Sequence, residues 1–230
     1  MQPTARGASL HCVQGPLFAY AASVEGAVVA AAHPEQRFVE VGVGPVRATL
    51  ELTRALLSGP PPDLVCAFGV AGAFAARASS SAGAPLAVLD LALVGSDSLC
   101  DEGVETDAGF VSTQSLGLVA DGQVMAAVEP TQRLADALRA PIVVGATVST
   151  CSGTDARADD VWARSHASLE TMEGAALGLV CARLGVPWVQ VRVVSNRCGD
   201  RARGGWDLAG AVARLQAAMP IVIATLTGKA

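Results

Sequence analysis

The sequence has few of the residues that build metal sites, disulfide frameworks and nucleic-acid-binding surfaces. Three histidines and six cysteines occur in 230 residues. There is no C-x-x-C pair and no histidine at ligand spacing, so we expect neither a bound metal nor a disulfide framework. Only 16 % of the residues are charged, and the formal net charge is −5. Because no lysine and arginine cluster is present to displace counterions, no nucleic-acid partner is expected.

Uninterrupted apolar segments are also short, although hydrophobic residues make up 51 % of the chain. None approaches the roughly 18 to 20 residues that span a bilayer. We therefore expect no membrane partner, and we assign the apolar excess to a large core or to the interfaces of a homo-oligomer, a dimer or higher. Cysteines in apolar runs, such as Cys66 and Cys181, indicate a reducing cytoplasm. Residues 1–15 are predicted to be a poorly ordered leader, and residues 16–230 one domain.

Short apolar runs alternate with segments of helical periodicity. In the first such segment Val46, Leu50 and Leu57 share one face, and the clearest segment runs from Met172 to a stop at Gly185. This alternation predicts a single α/β domain with a central twisted sheet, mixed but mostly parallel, flanked by helices. The predicted strands are Leu17–Ala22, Phe38–Val43, Leu64–Phe68, Leu86–Val94, Ile142–Val148 and Trp188–Val194.

Glycines follow two of these strands, at the edge where parallel sheets bind ligands. Gly42-Val-Gly44 begins like a dinucleotide fingerprint, but Arg47 stands where the third glycine is required. Gly69-Val70-Ala-Gly72 has only two glycines. A nicotinamide cofactor is therefore disfavoured. Two interpretations stay open: the glycines permit tight turns, or these turns bring backbone close to a small ligand.

Glutamates near strand ends are candidates for chemistry. Glu25 is either an exposed loop charge or a general base that activates water. Glu173 either caps the clearest helix, together with Glu170, or accepts hydrogen bonds from two vicinal hydroxyls, as in ribose binding. In the second case Met172 would place its thioether on the face of the sugar. Residue types alone leave both pairs of alternatives open.

Four motifs, in this order, resemble those of the nucleoside phosphorylase and nucleosidase family. The resemblance extends over about residues 17 to 226 and implies a nucleoside phosphorylase-like fold, so that 16–230 is a nucleosidase domain. The motifs are Val41-Gly-Val-Gly-Pro-Val-Arg-Ala, Phe68-Gly-Val-Ala-Gly-Ala, Thr171-Met-Glu-Gly-Ala-Ala and Val191-Arg-Val-Val-Ser-Asn.

Other segments are similar to one branch of this family, whose members hydrolyse futalosine to hypoxanthine and dehypoxanthine futalosine in menaquinone biosynthesis. Four features carry this similarity. Three are the segments Ser195-Asn-Arg-Cys-Gly-Asp-Arg-Ala-Arg-Gly-Gly-Trp-Asp-Leu, Thr147-Val-Ser-Thr-Cys-Ser-Gly-Thr, and Asp101-Glu-Gly-Val-Glu with Gly109-Phe110. The fourth is Glu25, which falls where the family's water-activating glutamate is expected after the first strand. Ala202 departs from the branch pattern, which has an aspartate between two arginines. That departure leaves the role of the missing carboxylate open, with Asp200 as a substitute.

Asn196 stands where adenine-releasing members of the family have a catalytic aspartate. A 6-oxopurine presents acceptors at both N7 and O6, which an ionised aspartate would repel, whereas an amide NH2 donates to either. Asn196 therefore predicts a 6-oxopurine leaving group. The alternative is a turn residue that closes a strand.

The resemblance implies hydrolysis of an N-glycosidic bond of a nucleoside without a cofactor. In this hypothesis Glu25 activates water, Glu173 binds the ribose 2′ and 3′ hydroxyls above Met172, and Asn196 stabilises the departing base. Further assignments are less direct: proton relay by Asp200, orientation by Arg192, contacts of the nucleoside with Gly69, Val70 and Trp206, and binding of an aromatic carboxylate by Arg201, Arg203 or Arg197, covered by Phe110.

Three other functions are weighed against this one. A methylthioadenosine or adenosylhomocysteine nucleosidase would release adenine, which Asn196 disfavours. A purine nucleoside phosphorylase needs a phosphate site, usually arginines and a hydroxyl at the glycine loop, where this chain has Val70 and only Arg47 nearby. A non-catalytic nucleoside-binding protein would need no water-activating base such as Glu25.

Overall fold

The structure, a computed structural model, describes residues 14–75, 85–120, 122–203 and 205–228. Most of the predicted leader, residues 1–13, lies outside them. The strands are β1 (Pro16–Tyr20), β2 (Arg37–Glu40), β3 (Leu64–Ala73), β4 (Leu91–Leu99), β5 (Gly103–Thr106), β6 (Gly109–Ser112), β7 (Val124–Met125), β8 (Ile142–Thr147), β9 (Leu169–Thr171) and β10 (Trp188–Arg197). The helices are α1 (Ser23–Ala32), α2 (Pro45–Leu57), α3 (Val128–Leu138), α4 (Asp155–Ser165), α5 (Gly174–Leu184) and α6 (Leu208–Thr227), with a 3₁₀ turn at Arg201–Arg203.

The central sheet is mixed and mostly parallel, as predicted. Its order is β10-β4-β8-β9-β3-β1-β2, and β10 also pairs with β3. The parallel pairs are β1–β2, β1–β3, β3–β10, β4–β8 and β8–β9. On one side β3 pairs with β1 along its first half and with β9 at its end, and on the other side it pairs with β10. The strands β3, β10, β4, β8 and β9 therefore close into a circuit. The alternation in the sequence contains no signal for this closure.

Both faces of the sheet are covered by helices, which explains why the strands are apolar throughout. Phe18 and Val191 face a core formed with α3 and α6. Leu17, one position before Phe18, and Trp188, three positions before Val191, face a second core formed with α2 and α5. Since successive strand residues point to opposite faces, each strand needs apolar residues at every position.

Helix α2 turns a different face to the sheet than its apolar periodicity indicates. Its buried residues are Ala48, Leu52 and Leu56. Val46, Leu50 and Leu57, which share a face in the sequence pattern, are 80 %, 55 % and 69 % exposed. Apolar residues lie on both sides of this helix, so periodicity does not decide which side meets the sheet. The exposed side is an apolar stripe, a feature that often marks an interface.

Helix α6 is the one helix among the described residues that is long and apolar enough, by length and composition, to cross a membrane. It has Pro220 in its interior and continues through it. Leu215, Met219 and Val222 are buried in the core next to β10. A helix that covers a core meets the same length and composition criteria, so this observation carries little weight for a membrane.

Candidate active site

A cavity of about 340 Å³ opens where β1, β3, β9 and β10 end. It is partly apolar and is closed on one side by the start of α1. Seven of the predicted site residues line it: Glu25, Val70, Met172, Glu173, Asn196, Arg201 and Trp206. A larger cavity, of about 850 Å³, lies near the opposite ends of β1, β3 and β10, beside Pro16, Leu64 and Pro187. It holds none of the predicted site residues.

Glu25 is buried in the first turn of α1 and faces the cavity. Its Oε2 accepts from the backbone N–H groups of Ala21 at 3.2 Å and Ala22 at 3.1 Å. Its Oε1 accepts from the N–H of Val70 at 2.8 Å. Part of this pattern is a helix cap, because the side chain reaches back to the N-cap backbone. The result is a carboxylate fixed by three backbone donors at the end of the sheet.

Gly69 lies between the two charged groups beneath the cavity. A Cβ on this residue would lie 2.6 Å from Nη1 of Arg192 and 2.6 Å from Oε1 of Glu25. Its φ is not positive, so the glycine is required by this close approach and not by backbone conformation. Gly69 therefore lets a carboxylate and a guanidinium come together over the backbone of β3.

Glu173 is buried immediately before α5 and lines the same cavity. Its Oε1 accepts from the N–H of Gly44 at 2.9 Å, and its Oε2 lies 3.8 Å from Nη2 of Arg192. Gly42 and Gly44 have φ of +80° and +92°, which side chains rarely adopt, so the glycine turn aims this N–H at Glu173. Burial raises the pKa of Glu173, and Arg192 opposes that shift.

Asn196 is turned into the cavity by an irregularity in β10. The register between β10 and β3 shifts between Val194 and Asn196, so Ser195 is the extra residue of a bulge. Oδ1 of Asn196 accepts from the Ser195 hydroxyl at 2.8 Å, and Nδ2 donates to the carbonyl of Arg197 at 3.1 Å. This arrangement uses one N–H of the amide and leaves the second for a ligand.

The exposed part of the lining comes from the segment after β10. The guanidinium of Arg201 lies 4.5 Å above the ring of Trp206, a cation–π contact. Arg197 is exposed and outside the lining. Arg203 pairs with Asp155 at 2.8 Å, also away from the lining. Arg201 is thus the predicted arginine that the fold brings to the cavity.

Two other predicted residues are not brought to the cavity of this chain. Asp200 directs its carboxylate to the N–H of Ala202 at 3.0 Å and to Arg203. Phe110 lies on the β5–β6 hairpin with the guanidinium of Arg164 4.0 Å from its ring centroid. The roles of Asp200 and Phe110 stay predictions, and this geometry does not favour a direct contact of either with a ligand in the cavity.

Sequence reasoning missed the part that Glu170 plays. Glu170 belongs to β9, so it does not cap α5, and it is buried in the cavity wall. Its carboxylate accepts from the N–H of Ser152 at 2.8 Å and from the Ser152 hydroxyl, which ties the loop after β8 to the cavity. Burial raises its pKa. The sequence did not distinguish this position from a helix cap, because β9 has only three residues and lies directly before α5.

A family model described as the phosphorylase superfamily matches residues 17–227. The chain belongs to the phosphorylase superfamily. The futalosine hydrolase of Acidothermus cellulolyticus is 38 % identical over 124 residues, which is half of each chain. The futalosine hydrolase of Streptomyces coelicolor is 34 % identical over 185 residues, covering 76 % of this chain and 72 % of that one.

Among solved structures, a futalosine hydrolase mutant of Helicobacter pylori superimposes with a TM-score of 0.76 at 17 % identity, covering 92 % of this chain and 99 % of that one. A likeness at this identity concerns the fold alone. Together with the family match it confirms the predicted nucleoside phosphorylase-like α/β fold. In this superfamily member, the cavity combines three fixed carboxylates, those of Glu25, Glu170 and Glu173, with the amide donor of Asn196. The Glu25 and Glu173 carboxylates and the amide form a set that suits a nucleoside whose base departs.

Proposed function

We propose that this chain is an N-ribosyl hydrolase that cleaves futalosine to hypoxanthine and dehypoxanthine futalosine. The observation that carries the proposal is the Asn196 amide, which faces the cavity with an N–H left for a ligand. Such a donor suits the N7 and O6 acceptors of a 6-oxopurine. The names of the relatives from Acidothermus cellulolyticus and Streptomyces coelicolor agree with this substrate.

The surroundings of the glycine loop favour water over phosphate as the second substrate. Phosphate sites use several charged or hydroxyl donors. Val70 has no hydroxyl. Arg47 does not line the cavity, and its guanidinium donates to the carbonyl of Val43 at 3.3 Å. Arg201 is the basic residue in the described lining, and it lies at the exposed end. Hydrolysis is therefore favoured over phosphorolysis.

In the proposed reaction the bond between C1′ of the ribose and N9 of the base breaks, and its electron pair leaves with hypoxanthine. Asn196 stabilises the charge that develops at N7 and O6. Water adds to C1′ and gives a proton to Glu25, while the departing base takes a proton from solvent. Glu173 accepts hydrogen bonds from the 2′ and 3′ hydroxyls, with Met172 against the sugar. No cofactor takes part.

The Arg201–Trp206 pair supports the assignment of futalosine over a simple nucleoside. Futalosine carries an aromatic carboxylate beyond the ribose 5′ position. A guanidinium can bind that carboxylate through two parallel hydrogen bonds, and the indole ring offers an apolar face beside it. With futalosine as the substrate, we propose that the protein acts in menaquinone biosynthesis.

We also propose a homo-oligomer that acts in the cytoplasm. The exposed stripe of Val46, Leu50 and Leu57 on α2 is an apolar surface of the kind that a second copy covers. The cytoplasmic assignment rests on cysteines that are free among the described residues. Sedimentation of the wild type and of Leu50→Glu tests the oligomer: a monomeric wild type contradicts it.

One assay separates the candidate functions. The protein is incubated with futalosine, inosine and methylthioadenosine, with and without phosphate, and the released base is identified by chromatography. We expect hypoxanthine from futalosine without phosphate. Adenine release points to a methylthioadenosine nucleosidase, phosphate dependence to a phosphorylase, and no turnover to a nucleoside-binding protein.

A further inference from the structure

A buried carboxylate outside the cavity is part of a polar chain that the proposed reaction does not use. Asp97 on β4 is fully buried. Its Oδ1 accepts from the Thr147 hydroxyl at 2.9 Å, and its Oδ2 accepts from Nε2 of Gln190 at 3.0 Å. Burying an ionisable group among apolar strands is costly unless it is well hydrogen-bonded. A carboxylate retained here therefore calls for an explanation.

The chain continues from Gln190 to the cavity. Because Nε2 of Gln190 donates to Asp97, its Oε1 faces the other way and accepts from Nη2 of Arg192 at 3.2 Å. The same Nη2 lies 3.8 Å from Oε2 of Glu173, which is an ion-pair distance but is beyond hydrogen-bond distance. Nη1 of Arg192 donates to the carbonyl of Val70 at 3.4 Å. The Arg192 guanidinium is thus held between an amide and a carbonyl, and stops short of the carboxylate.

The restraint on Arg192 bears on which oxygen of Glu173 is free to bind a ligand. Its Oε1 is occupied by the N–H of Gly44, so Oε2 is the oxygen left for a ligand. Nε of Arg192 is buried and has no hydrogen-bond partner among the described residues, so no hydrogen bond from Nε opposes a movement of the guanidinium. Without the Gln190 amide, attraction in a buried site would draw Arg192 onto Oε2 of Glu173.

The local packing agrees with a specific role for the Asp97–Gln190 pair. A Cβ on Gly174, the residue after Glu173, would collide with Oδ2 of Asp97 and with the Gln190 amide. The Thr147 hydroxyl that donates to Asp97 also accepts from the N–H of Ala175 at 2.8 Å. Asp97 therefore supports the start of α5 as well as the Gln190 amide.

We propose that Asp97 and Gln190 are positioning residues that hold Arg192 away from Glu173 and so keep Oε2 of Glu173 open to the substrate hydroxyls. Asp97 sets which way the Gln190 amide faces, and Gln190 gives Arg192 a neutral acceptor in place of the carboxylate. The role in catalysis rests on the proposed function. The restraint on Arg192 does not depend on it.

The first test is a double-mutant cycle on futalosine hydrolysis. Gln190→Met keeps the size of the side chain and removes both the oxygen that accepts from Arg192 and the N–H that donates to Asp97. We expect kcat/KM to fall about 10- to 50-fold, mostly through KM, and to change less than about twofold when Glu173→Gln is already present. Thr131→Val is the control, because it removes a buried hydroxyl that has no hydrogen-bond partner among the described residues. Additive losses in the cycle would overturn the proposal.

Asp97 is tested by two substitutions of similar size. Asp97→Leu leaves the Gln190 amide free to turn, so we expect a loss close to that of Gln190→Met. Asp97→Asn retains an oxygen that can accept from Gln190, and we expect it to lose clearly less. Equal losses in the two variants would contradict the assigned role. If Asp97→Leu does not fold, two results still test the positioning role: the double-mutant cycle with Gln190→Met, and a loss in Asp97→Asn that is clearly smaller than the loss in Gln190→Met.

The second test needs no turnover. The Glu173 carboxyl is titrated by ¹³C NMR in the wild type and in Gln190→Met, with its signal assigned by Glu173→Gln. We expect the pKa of Glu173 to fall in Gln190→Met because Arg192 closes on it. An unchanged or raised pKa in a folded variant overturns the positioning role. Absence of futalosine hydrolysis by the wild type overturns the proposed function alone.

Discussion

The two ends of the cavity are built in opposite ways. At the inner end Glu25 and Glu173 are each only 5 % exposed, and backbone N–H groups hold both carboxylates. At the outer end Trp206 is 46 % exposed, and its described contact in the lining is one cation–π pair with Arg201. The inner end is part of the core, whereas the outer end belongs to a segment that crosses the surface.

This difference matches the different demands of chemistry and of recognition. Groups that stabilise developing charge act best when they are fixed before the reaction. A side chain that binds the far end of a substrate needs only to add affinity, and an exposed loop can supply that. We therefore expect changes at Glu25 and at its neighbour Gly69 to reduce kcat strongly, and changes at the outer end to raise KM modestly.

The largest effect is expected at Glu25. Glu25→Gln keeps the shape of the side chain but cannot take a proton from water, so we expect kcat for futalosine to fall about 10²- to 10⁴-fold. Glu40→Gln is the matched control, because Glu40 is an exposed glutamate at the end of the neighbouring strand β2. Steady-state kinetics on both variants check this. Full activity of Glu25→Gln would remove Glu25 as the base.

The next effect is expected at Gly69. In Gly69→Ala the new methyl group meets both Glu25 and Arg192 at 2.6 Å, so one of them has to move, and a displacement of that kind costs about 10²-fold in kcat. Gly59→Ala is the control, because a Cβ there would have no neighbour within 4 Å. If both variants keep wild-type kcat, the inner end tolerates movement and the comparison of the two ends loses its basis.

A smaller effect is expected at the outer end. Arg201→Ala should raise KM for futalosine about tenfold, with kcat little changed. Arg203→Ala is the control, since its guanidinium pairs with Asp155 outside the cavity. A larger loss in kcat than in KM for Arg201→Ala would place this arginine with the inner end.

The last prediction concerns the free energy of unfolding and not the activity, and it tests the buried network around Asp97. Burial raises the pKa of Asp97 to about 6 from 3.8, so the folded state binds this proton more tightly than the unfolded state does. The stability that Asp97 contributes is present below about pH 4 and is lost as pH rises through about 6. We expect Asp97→Asn to gain about 2 kcal/mol over the wild type between pH 4 and pH 7. Urea unfolding at both pH values measures this, and a constant difference would contradict it.

The residue types at the strand ends singled out the candidate site residues, whereas the roles proposed for them came from the resemblance to the nucleoside phosphorylase and nucleosidase family. Glu25, Glu173 and Asn196 were found because charged and amide side chains interrupt runs that are otherwise apolar. The fold class followed from the alternation of strands and helices. Val46, Leu50 and Leu57 show the limit of such patterns, because a helix that is apolar on two sides gives no signal for which side is covered.

Contacts between distant segments were not accessible in this way. Arg201, Arg203 and Arg197 have the same chemistry and lie within seven residues of one another, and only the path of the chain after β10 brings Arg201 to the cavity. Asp97 and Gln190 are 93 residues apart. They meet because β4 and β10 are neighbours in the circuit of strands.

The sequence by itself determined which chemical groups stand at the ends of the strands, since an apolar core admits a carboxylate or an amide only where it is hydrogen-bonded. It also determined the glycines at 42, 44 and 69, which permit turns and close approaches that side chains would block. The tertiary structure decided how these groups face one another. The gap between Arg192 and Glu173 depends on a closed sheet, because hydrogen bonds across strands far apart in sequence hold it open.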